Sequence, residues 1–103
     1  MIKRKAELVE EERRKEAERR RLERERLERL EKARVGRLLA QAKALREAQE
    51  IRAYVSAVRD RQATLDDPLS DAGFQDWADW ALSQADRIDP ILSGSFRTVQ
   101  VDD

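Results

Sequence analysis

From Met1 to Asp67 the chain contains no proline and a single glycine, Gly36. These two residue types are the usual interrupters of helices, so a stretch of this length with almost none of them has few ways to fold except as helix. Residues 3–34 add a strong local preference, being a low-complexity Glu/Arg segment with 24 charged residues out of 32. The pairs Glu10/Arg14, Glu11/Lys15, Glu16/Arg20, Glu25/Arg29 and Glu28/Lys32 have the favourable i,i+4 order, each adding a few tenths of a kcal/mol to a helix in water. Apolar residues are sparse there. After Leu8 and Val9 comes only Ala17 before Leu22, Leu27 and Leu30, so no regular coiled-coil seam runs from Glu10 to Arg21. A solvated single helix or a loosely paired coiled-coil arm is expected.

The pattern changes at Val35. Val35, Leu38, Ala42, Leu45, Ala48, Ile51, Val55 and Val58 recur every three or four residues, which is one continuous helical stripe. Three successive spacings of three around Ala48 interrupt a strict heptad. Leu39 and Tyr54 widen the stripe enough to pack against more than one neighbour. Gly36, at the junction, reads either as a kink or close helix crossing or as a tolerated mid-helix glycine.

Asp66-Asp67-Pro68-Leu69-Ser70-Asp71 reads as stop, turn and restart, with Asp67, Ser70 and Asp71 all competent N-caps. The second helix should run over about 71–88, presenting Phe74, Trp77, Ala78, Ala81, Ala85 and Ile88 on one face, and end at Asp89-Pro90. A short turn favours antiparallel packing, placing Phe74 and Trp77 against Val55 and Val58. The expected hairpin core is therefore Ile51, Tyr54, Val55, Val58, Phe74, Trp77, Ala81 and Ile88. The organisation that follows is a charged helical arm over 1–34, a helical hairpin over 35–92 and a flexible tail over 93–103. Within the hairpin the long helix should reach about residue 65, with the turn at 66–70. The tail breaks at Ser93-Gly94-Ser95, and Phe96, Val99 and Val101 would either fray or dock.

Composition removes most chemistry. The chain has no cysteine and no histidine, so thiol nucleophiles, disulfides, Cys/His metal sites and imidazole acid-base catalysis are out of reach. The three glycines are isolated, which excludes a phosphate-binding loop, and the serines have no activating base. Asp66, Asp67 and Asp71 do not match the ligand spacing of a calcium loop, and Asp76 and Asp79 lack a third ligand. No cofactor or metal is expected, and an enzyme is not. No apolar run approaches the roughly 18 residues of a membrane span, so a soluble, cytoplasmic protein without membrane contact is the expectation.

A net charge of zero conceals an asymmetry. Residues 1–34 carry 14 Lys/Arg against 10 Glu, residues 35–65 carry 6 basic against 3 acidic, and residues 66–103 carry 2 Arg against 9 Asp. An acidic second helix would thus lie beside a basic one. The arm's arginines raise nucleic acid as an alternative partner, with Arg13, Arg14, Arg19, Arg20 and Arg21 as the phosphate contacts. The interleaved glutamates weigh against it. Trp77 and Trp80 lie three apart and point in different directions, so one indole should stay partly exposed, and an exposed tryptophan beside acidic residues suits a protein partner.

At 51–59 (Ile-Arg-Ala-Tyr-Val-Ser-Ala-Val-Arg) and at 77–90, from Trp77-Ala78-Asp79-Trp80 to Ala85-Asp86-Arg87-Ile88-Asp89-Pro90, the sequence resembles the C-terminal region of uncharacterised bacterial proteins. Those proteins look like a helix-turn-helix-type N-terminal segment followed by a long charged helix and this aromatic hairpin. The resemblance implies a fragment or short relative of a larger protein and brings no activity or ligand. The whole reading is an all-α helical hairpin with coiled-coil self-association. It is expected to form a homodimer through Leu27, Leu30, Val35, Leu38, Leu39, Ala42 and Leu45, and to serve as a non-enzymatic oligomerisation and protein-interaction module.

Overall fold

The computed structural model describes residues 4–97. Among these, 88% are helical and none lies in a strand, which makes the fold all-α. Helix α1 spans Lys5–Gln62, α2 spans Asp71–Ile88 and a one-turn α3 spans Pro90–Ser93, followed by a 3-10 turn over Ser95–Arg97. The described residues divide into two units, 4–35 and 36–97.

In the first unit α1 is held by contacts one turn apart along itself. Arg19 pairs with Glu16, and Arg21 with Glu18. Arg21 also reaches Glu25 at 3.0 Å, while Arg26 meets Glu23 at 2.6 Å. Three of these four pairs are at i,i+3 rather than the i,i+4 spacing expected from the sequence. Both spacings put side chains on neighbouring ridges, and the long guanidinium arm reaches either. The engaged partners shift charge affinities in the expected sense. Hydrogen bonding to Glu18, with the charges of Glu18 and Glu25, raises the Arg21 pKa, and hydrogen bonding from Arg26 lowers that of Glu23.

The second unit is a helical hairpin. Here α1 and α2 pack against each other, and the core gathers Val55, Phe74, Ala78 and Ala81, with Ile51, Val58, Trp77 and Leu82 packed around them. Ala48, Ala78 and Ala85 are completely buried. Alanine methyls at these places let helices approach closely, and leave no room for anything larger. Two expected core residues sit elsewhere: Tyr54 is 64% exposed and Ile88 37%. Tyr54 takes a rim position because the buried side of α1 is centred on Ala48 and Val55, a quarter-turn from it. Its ring packs edge-on to Trp77 at 6.1 Å between centroids. Ile88 is the last residue of α2, where the chain turns into α3.

The turn between the helices is closed by a side chain. The Gln62 amide donates to the Leu69 carbonyl at 3.3 Å and accepts from the Leu69 N–H at 3.1 Å. Helix α1 ends at Gln62, earlier than the expected 65, because Thr64 and Leu65 bond carbonyls three residues back, a tighter winding than the α-helix. Of the candidate caps Ser70 is used: its Oγ accepts from Gly73 N at 3.0 Å. A Cβ at residue 73 would lie 3.1 Å from that oxygen, so glycine keeps the cap free of crowding.

After α2 the chain continues in two short helical turns. Asp89 closes α2 through its backbone N–H and opens α3 by accepting from the N–H groups of Ile91 and Leu92. Pro90 stands at the first position of α3, where its missing donor costs nothing. Gly94, at φ 74°, supplies the left-handed cap that ends it. The Gln41 side chain then donates to the Ser95 carbonyl at 2.9 Å. Residues 94–97 thus follow α3 as a turn that closes on α1. Val99 and Val101 lie outside the described residues.

Candidate interaction surface

Two kinds of surface emerge from this hairpin, one apolar and one aromatic. On α1, Leu38 and Leu39 are 63% and 64% exposed, Ala42 is exposed and Leu45 is half-buried. In the first unit Leu27 and Val35 are exposed and Leu30 is half-buried. All seven residues expected at a dimer interface thus retain accessible surface in the single chain. A Cβ at Gly36 would meet nothing within 4 Å, so among the described residues no close helix crossing occurs at this glycine.

The aromatic surface is an open groove of about 680 Å³ between α1 and α2. Glu47, Glu50, Ile51 and Tyr54 line it from α1, and Trp77, Trp80, Ala81, Gln84 and Ile88 from α2. These positions fall at i, i+3, i+4 and i+7 on α1 and at i, i+3, i+4, i+7 and i+11 on α2, so each wall is one helical ridge. Trp80 is 61% exposed, whereas Trp77 is half-buried and packs on Phe74 at 6.0 Å between centroids. The two indoles therefore differ in role, one anchoring the core and the other facing solvent.

Opposite charges clamp the far end of the hairpin. Arg52 lies 2.8 Å from Asp89 and 3.1 Å from Asp86. The Asp89 side chain is almost wholly buried, and it accepts from Arg52 and from two backbone amides. Those bonds, Arg52 first, lower its pKa; in return Asp89 and then Asp86 raise that of Arg52. Residue spacing gave no sign of this pair, since Arg52 and Asp89 are brought together only by the fold. The expected charge complementarity of the two helices was its one trace in the sequence. Nearer the turn, Arg59 stacks its guanidinium 5.5 Å from the Phe74 ring centroid.

Among the described residues no three acidic groups converge as a metal site, and no helix is long and apolar enough to cross a membrane. Several serine hydroxyls serve the backbone: Ser70 caps α2, Ser83 donates to the Trp80 carbonyl and Ser93 to the Pro90 carbonyl. Of the arginines considered for phosphate contact, Arg19 and Arg21 are engaged by glutamates, while Arg13, Arg14 and Arg20 are exposed. Comparison with known protein families, with curated proteins and with solved structures finds no match.

Proposed function

We propose that this chain is a non-enzymatic oligomerisation and protein-interaction module that forms a homodimer through the uncovered stripe of α1. The observation that supports this reading is the exposure of Leu38 and Leu39 at 63% and 64%, side by side on a helix that α2 packs against only further along, at Ala48 and Val55. Large adjacent aliphatic side chains left in water are relieved by association, and a second copy supplies a self-complementary face at no cost in specificity. Leu27, Leu30, Val35, Ala42 and Leu45 would extend the contact.

The test is molar mass by light scattering on a sizing column, at low and at high salt. A dimer at both salts is expected, because apolar contact is not screened. Replacing Leu38→Asp together with Leu39→Asp, both exposed and outside the hairpin core, should give a monomer with unchanged helical content. A variant that keeps the dimer mass overturns the assignment.

A further inference from the structure

The groove between α1 and α2 has a chemistry of its own, distinct from the aliphatic stripe assigned to the dimer. Its walls carry three aromatic rings, Tyr54, Trp77 and Trp80, and two carboxylates, Glu47 and Glu50, and no basic side chain lines it. Of the two carboxylates, Glu47 has Lys43 at 3.8 Å along α1. Two antiparallel helical ridges with a trough between them form a seat for a third helix, as in a small bundle. From Glu47 to Tyr54 the α1 wall covers two turns, or about 10 Å, the reach of an i, i+3, i+7 set of anchors on a docking helix.

We propose that this groove binds a basic amphipathic helix of a partner protein, one whose apolar ridge is flanked by lysine or arginine. The exposed indole of Trp80 and the ring of Tyr54 offer apolar contact and cation-binding faces at once, while Glu47 and Glu50 complement the flanking cations. Phosphate groups would be repelled by those two carboxylates. The arm of a second copy is a poorer occupant, because from Glu10 to Arg21 it carries no regular apolar ridge to lay into the trough. This assignment rests on the protein-interaction reading above and specifies the partner's chemistry.

The experiment titrates the full chain into two labelled synthetic helices, followed by fluorescence anisotropy. Both carry the same leucine ridge over about four turns; one is flanked by lysines and the other by glutamates. The lysine peptide should bind at least about tenfold more tightly than its glutamate twin. Trp80→Ala should weaken the lysine peptide by about tenfold or more, and Glu50→Lys should weaken it as well. Both positions are exposed, so circular dichroism should show the hairpin intact.

Equal binding of the two peptides overturns the proposal, as does no binding of the lysine peptide or an unchanged affinity in Trp80→Ala. A loss of dimer mass in Trp80→Ala would assign the groove to a second copy and overturn it too. The Leu38→Asp, Leu39→Asp monomer should still bind the lysine peptide. Failure of the dimer is thus read from mass and failure of the groove from anisotropy.

Discussion

The two stretches of α1 are equally helical and are held by different forces. Residues 5–35 rely on helix propensity and on ion pairs between side chains one turn apart, all in contact with water. Residues 36–62 spend fewer charges on each other and instead bury Ala48 and Val55 against a second helix. A helix of the first kind is assembled from many small local terms, and removing any one changes little. A helix of the second kind depends on a handful of side chains whose loss is felt at once. One uninterrupted element therefore contains two regimes of stability.

The largest expected effect lies in the buried regime. Phe74→Ala removes a ring that touches Trp77 and the Arg59 guanidinium, and should destabilise the hairpin by about 3–5 kcal/mol. Denaturant unfolding followed by tryptophan fluorescence measures it. A loss under about 1 kcal/mol would erase the contrast between the two regimes.

A smaller and pH-dependent effect is expected at Asp89. Its carboxyl is held below the ordinary range by Arg52 and two amide donors. The stabilisation is therefore present in full above the ordinary aspartate value and is lost as pH falls through the lower folded-state value. Asp89→Asn keeps a side-chain oxygen able to cap α3 but removes the charge. It should melt below the native chain near neutrality, and the gap should close in acid. A gap independent of pH would mean that Asp89 acts as a cap alone.

The smallest effect sits at the border of the two regimes. Gly36→Ala places a methyl where no atom lies within 4 Å, and should stabilise the helix by about 0.5–1 kcal/mol. Thermal melts by circular dichroism would register a rise; a fall would reveal a contact at this residue in the assembled protein.

How much of this was legible in the sequence depended on how local the cause was. The long helix, the turn around Pro68 and the second helix from Asp71 to Ile88 all follow from breakers, caps and periodicity within a few residues. Packing partners were read correctly where stripe met stripe, as for Val55 and Phe74. Tyr54 was misplaced because a wide apolar stripe does not say where its centre faces, and the fully buried alanines decided that. The turn at 94–97 has no local signal in the sequence, because it depends on Asp89 serving two helices at once and on Gln41 reaching Ser95. The acidic residues beside the tryptophans in sequence, Asp76 and Asp79, are not among those lining the groove, whose carboxylates, Glu47 and Glu50, come from α1, far away in sequence.

The three alanines at 48, 78 and 85, with no accessible surface, set a rule for how this molecule can change over generations. A seam made of methyl groups cannot accept a larger side chain without forcing the helices apart. Inherited variation is therefore channelled away from the seam and toward its margins, to Tyr54, Trp80 and the carboxylates beside them. The scaffold can stay as it is while the chemistry of its margin changes.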